Sequence, residues 1–175
     1  MAIEPHIREQ VRRRANFACE FCGISETDVG AELTIDHFCP SSKGGYDTLD
    51  NLLYSCVRCN QYKLDYWPAH PGEPMLWNPR LEPASAHFVE LDDGTLHPLT
   101  ETGIFTLHRL RLNRPPLVEH RLHKRQEQEK QRLLERYRAL TQLLEQLLAQ
   151  QASLVEEQHE LLTEQRELLR RLLQE

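Results

Sequence analysis

The chain has 175 residues, 39% of them hydrophobic and 27% charged, with a formal net charge of −6. That length suits one compact domain of roughly 100 residues with additions rather than two full domains. The absence of any run of about 18 apolar residues argues against a membrane span. The opening residues MAIEPHIREQVRRR lack the apolar core of a secretory leader, so a cytoplasmic location is expected.

In chain order, residues 4–16 read as a short helix carrying Arg8, Arg12, Arg13 and Arg14. FACEFCG follows as a knuckle whose glycine tolerates a positive φ. AELTIDHF alternates Leu33 and Ile35 with polar residues and is strand-like. CPSSKGGYDTLD, with its proline, serines and paired glycines, is a loop. NLLYSC is a second strand, and VRCNQYKLDYW a short helix stopped by Pro68.

Five prolines between 68 and 83 predict an irregular connector, and HFVELDDGTLHPL predicts a hairpin around Asp93-Gly94. TGIFTLHRLRLNRPP leads to Pro115-Pro116, a pair suited to a helix start. From about 117 to 174 there is no proline or glycine, and a long helix is expected. Leu133, Leu140, Leu147, Leu154, Leu161 and Leu168 fall seven apart, with a second mostly apolar row one position later. The expected partner row is interrupted by Gln151, Gln158 and Gln165. Sustained heptads point to a coiled coil or helical bundle. The broad stripe also leaves open an antiparallel pair or docking on another protein, and a break near residues 150–153 would allow a hairpin. About 55 residues at about 1.5 Å each would span roughly 80 Å, more than the preceding body would cover.

Cys19-x2-Cys22 and Cys56-x2-Cys59 present two thiolates each from one turn, enough together for a tetrahedral zinc site. In a reducing compartment metal ligation is favoured over disulfides. Four thiolates leave no open position, so the Zn2+ would be structural. Cys39 is left over as a loop thiol.

Charge is unevenly spread. Residues 104–138 carry ten basic and four acidic side chains, whereas residues 1–75 carry seven and eleven. A local basic stretch matters more to a polyanion than the total does.

Between the cysteine pairs, His37 and Asn51 lie fourteen residues apart, and Asn51 and Asn60 nine apart. CEFCG, IDHFCPSSKGG and NLLYSCVRCNQYK, in that order, resemble the His-Asn-His (HNH) endonuclease family in its four-cysteine zinc form. The resemblance covers about residues 12–67; a looser one extends over TGIFTLHRLRLNRPPLVEHR. It implies a small ββα-metal domain with structural zinc over residues 1–67; with the connector and hairpin extension over 68–116 and the long C-terminal helix over 117–175 read above, the fold class is α+β. It implies metal-dependent hydrolysis of DNA phosphodiesters, and by analogy with small bacterial HNH proteins a role in defence against foreign DNA or in mobile elements.

The residues suit that chemistry. A neutral imidazole, His37, takes a proton from water near neutral pH. Asp36 and the Asn60 amide oxygen would hold Mg2+ or Mn2+, which favour oxygen donors. Asn60 stands where the family often has histidine. Asn51 would hold the loop and orient the His37 ring. Lys63, three residues after Asn60, would reach a phosphate, joined by Lys43, Arg58, Arg12, Arg13, Arg14 and the basic residues after 109. Adjacent strand residues point to opposite faces, so Asp36 and His37 serve one site only if the strand end twists; the resemblance implies that it does. A catalytically silent zinc module that binds nucleic acid or protein is the alternative. The C-terminal helix would join copies of the chain or dock on a protein partner through residues 120–175.

Overall fold

The computed structural model describes residues 3–172. The chain divides into two compact units, Met1–Lys124 and Arg125–Glu175. The first opens with helix α1 (Pro5–Arg14), whose proline sits at the helix start where a missing N–H is tolerated, and whose last turn carries Arg12, Arg13 and Arg14. Val11 is its buried residue. The chain reverses through Asn16 and Phe17, both at positive φ, into the first cysteine pair. There Gly23 N–H donates to Cys19 O at 2.8 Å, with Gly23 at φ 76. A residue with a Cβ strains at that angle, so the glycine is what closes the knuckle. A one-turn helix, α2 (Glu26–Val29), is fixed by a reciprocal capping box between Ser25 and Asp28.

Strands β1 (Thr34–His37) and β2 (Leu52–Ser55) pair antiparallel, with Asp36 opposite Leu53 and His37 opposite Leu52. All four β2 residues are buried. Helix α3 (Val57–Lys63) follows at once, with Cys56 as its N-cap, its sulfur accepting Cys59 N–H. The sequence placed this ββα unit correctly and ended its helix too late. The helix stops at Lys63, five residues before Pro68, because Leu64 turns to φ 54 and Arg109 Nη2 donates to the Lys63 carbonyl at 3.1 Å.

The proline-rich connector is irregular and then packs home. Trp77 N–H donates to Thr106 Oγ1 at 2.7 Å, and its ring meets Phe21 and Phe88 edge-on at 6.3 and 5.5 Å. Strands β3 (Phe88–Glu90) and β4 (Leu96–Pro98) form the hairpin expected around Asp93-Gly94. Helix α4 (Glu101–Arg109), capped by Thr100, supplies Thr106 and Leu107 to the interior. One apolar core joins β2, the knuckle and this extension: Leu52, Leu53 and Tyr54 share it with Trp77, Phe88, Leu110 and Leu112. Each large side chain so buried contributes about 1.5–3 kcal/mol. Segments 1–67 and 68–116 therefore fold around a common interior.

Helix α5 runs from Pro115 to Leu172, unbroken through residues 150–153, where a hairpin had been conceivable. Its first turns belong to the compact body, with Leu117 and Arg121 buried. In the second unit the leucine rows lie open. Leu133, Leu140, Leu147, Leu154, Leu161 and Leu168 are each more than half exposed. Among the described residues no helix is long and apolar enough to cross a membrane.

Candidate metal centre and hydrolytic site

The four cysteines converge. The Sγ atoms of Cys19, Cys22, Cys56 and Cys59 lie within 4.8 Å of one another, with Cys22 and Cys56 sulfurs 3.7 Å apart. A tetrahedral zinc with Zn–S near 2.3 Å requires sulfur separations of about 3.8 Å. The donor set and its spacing therefore fit zinc. Thiolates this close repel one another, and the sulfurs of Cys19 and Cys56 push the Cys22 thiol above its ordinary range. A cation among them removes that penalty. Cys39 stands outside the cluster, its sulfur near the Pro40 and Lys43 carbonyls.

Sequence reasoning missed the shell around these sulfurs. Arg114 Nη2 lies 3.8 Å from Cys59 Sγ and 4.0 Å from Cys56 Sγ. Burial opposes its charge, and the Cys59, Cys22 and Cys56 sulfurs outweigh burial and raise its pKa. A guanidinium here compensates the excess negative charge of four thiolates. The only sequence signal for it was the basic run itself.

The second cluster forms where β1 meets α3. Thr34 and Asp36, two apart on a strand, share one face, and Asn60 and Lys63, three apart on a helix, share another. The faces meet: Asn60 Nδ2 lies 3.5 Å from Thr34 Oγ1, and Lys63 Nζ 3.3 Å from Asp36 Oδ1. Asp36 is buried, and its Oδ2 has no hydrogen-bond partner. Burial raises the Asp36 carboxyl above its usual range, with Lys63 pulling the other way. A desolvated carboxylate oxygen left unpaired is what a divalent cation would satisfy, and Asn60 supplies an amide oxygen from the same helix face.

His37 ends β1, directly after Asp36. Its Nε2 lies 2.6 Å from Asp47 Oδ1, across the loop between the strands. Asn51 holds that loop and leaves the His37 ring alone. Its Oδ1 accepts Cys39 N–H at 2.8 Å, and its Nδ2 donates to the Cys39 and Tyr46 carbonyls, both at 3.0 Å. The side chain that meets the His37 ring is Asp47, while Asn51 meets the loop backbone. An acid ten residues on in a glycine-rich loop carries no sequence signal of that role.

The basic residues also divide differently from expectation. Lys63 has no exposed surface, and its Nζ donates to His37 O at 2.6 Å, so it serves the strand end and does not face a phosphate. Arg12 clamps Glu26 at 2.6 and 2.7 Å, and Arg14 donates to the Leu49 and Leu52 carbonyls, both at 2.6 Å. Arg109 stacks over Tyr66, while Arg121 is buried, donating to Gly94 O at 2.6 Å. Arg13, Lys43 and Arg58 remain exposed. Of these cations only Lys63 and Arg121 are buried; Arg12, Arg14 and Arg109 keep solvent contact while each engages a carbonyl, a carboxylate or an aromatic face.

Residues 19–75 match the family model of the HNH endonucleases, a span containing both cysteine pairs and the whole ββα unit. No curated protein matches the chain.

Proposed function

We propose, from the match of residues 19–75 to the HNH endonuclease family model, that the protein hydrolyses DNA phosphodiester bonds with a divalent cation at Asp36 and Asn60 and with His37 as general base. The observation that carries this reading is the buried, unpartnered Oδ2 of Asp36 on the face that meets Asn60. Oxygen donors of this kind suit Mg2+ or Mn2+, and such an ion, when bound, supplies charge neutralisation at a phosphate and its leaving oxygen. The protein's own groups do the rest. A carboxylate is acceptor-only, so His37 Nε2–H donates to Asp47 and the lone pair resides on Nδ1, ready to take a proton from water. Lys43 and Arg58 are exposed cations available to the DNA backbone, and Arg13 is exposed in an ion pair with Glu9. The exposed leucine rows of α5 supply an assembly surface.

The test is supercoiled plasmid incubated with Mg2+ or Mn2+. His37→Ala is expected to abolish cleavage while zinc content and circular dichroism stay unchanged. Undiminished cutting by that variant refutes the base assignment. One observation favours a second reading, a silent binding module: Lys63 Nζ already offers Asp36 a cationic partner at 3.3 Å. DNA retention without cutting under any divalent ion would establish it.

A further inference from the structure

From the second unit, Arg125–Glu175, we infer that the leucine face of α5 pairs with a second copy of the chain in antiparallel orientation, centred near Leu147. Two features carry this, and neither depends on the nuclease reading.

The first is an apolar face with no partner within the described chain. Two rows, one starting at Leu133 and one at Leu134, repeat every seven residues and lie about 100° apart around the helix. Leu133 is 53%, Leu147 59% and Leu161 60% exposed. Such a stripe is stabilised only by burial against another surface.

The second is charge, which identifies the occupant and its direction. Residues 125–138 carry five basic and three acidic side chains. Residues 156–169 carry five glutamates and one arginine. These windows are mirror images about position 147. Residues 139–155 between them contain a single ionisable side chain, Glu145. A parallel pair would set the net-positive window against its own copy and the net-negative window against its own. An antiparallel pair sets each against its opposite. Interfacial charge of this kind selects partner and orientation, while apolar burial supplies affinity. The stripe is therefore complementary to itself when reversed.

The experiment uses the full chain. Native mass determination is expected to show more than one copy. Spin labels carried on a genetically encoded amino acid, which spares the cysteines, then report orientation. A label at position 147 is expected close to its twin. Labels at position 133 are expected about 42 Å apart, from a separation of about 28 residues along the axis at about 1.5 Å each. A third arm reverses the charges: Arg132→Glu, Arg136→Glu and Arg138→Glu combined with Glu156→Lys, Glu160→Lys and Glu164→Lys. That chain is expected to assemble with itself in the same antiparallel arrangement, its two windows still opposite in sign. A mass of one chain overturns the proposal. Short distances at both positions replace it with parallel pairing and overturn it equally. Loss of cleavage by His37→Ala leaves all three readouts unchanged, so this inference and the nuclease reading fail separately.

Discussion

Lys63 Nζ donates to the main-chain carbonyl of His37 at 2.6 Å from a side chain without exposed surface. The bond ties the last residue of α3 to the last residue of β1. The same ammonium lies 3.3 Å from Asp36 Oδ1, so one buried cation holds the strand end where the proposed base and metal ligand sit side by side. Removing it strands a carbonyl and a buried carboxylate. Lys63→Met is expected to lower unfolding free energy by about 3 kcal/mol, measured in denaturant. A surface phosphate contact would instead lower DNA affinity and leave stability unchanged.

Asp47 meets His37 Nε2 at 2.6 Å from the exposed loop. Asp47→Ala removes the acceptor that keeps Nε2 protonated and Nδ1 free. Cleavage is expected to fall roughly 10- to 100-fold, within the usual contribution of positioned proton transfer. Zinc content and thermal unfolding should match the natural chain.

The loop between β1 and β2 depends on two residues. Asn51→Ala forfeits three hydrogen bonds to Cys39 and Tyr46, at about 1 kcal/mol each. Gly45 is more constrained: a Cβ there would lie 1.8 Å from Cys39 O and 2.8 Å from Asn51 Nδ2. Gly45→Ala must therefore displace backbone. Amide hydrogen exchange over residues 39–51 is expected to accelerate in both variants, more in Gly45→Ala, while α4 stays protected.

Two cysteines make opposite predictions. Cys59→Ser removes one of the four clustered sulfurs from the centre of the core, and loss of both bound zinc and cooperative unfolding is expected. Cys39→Ser lies outside the cluster and should retain one zinc per chain and an unchanged melting temperature. Metal analysis beside calorimetry separates them.

Acid sensitivity is written into the Arg12–Glu26 pair. Arg12, with the Tyr54 hydroxyl, holds the Glu26 carboxyl down at about 2 from an ordinary 4.5. A carboxylate with a depressed folded-state pKa stabilises the fold above its unfolded value, and that stabilisation is lost as pH falls through 4.5 towards 2. The stability gap between the natural chain and Glu26→Gln is expected to be full at about pH 6 and to narrow by about pH 3. Proton competition for the zinc sulfurs acts on both chains and cancels in the difference.

The sequence by itself determined the local frame: two cysteine pairs, two short strands, a helix and a glycine-closed knuckle. Each of these is specified within a few residues, by ligand spacing, by alternation or by a backbone angle that glycine tolerates. The heptads of α5 were legible for the same reason, since a helix repeats on its own period. Only the tertiary structure decided where the cations go. Lys63 ends on the His37 carbonyl, Arg14 on Leu52 and Arg114 over the Cys56 and Cys59 sulfurs, partners 26, 38, 58 and 55 residues away. A basic residue reads the same whether it faces solvent or a buried carbonyl. What separates the two is the folded chain bringing an acceptor within about 3 Å to replace the water that burial removes.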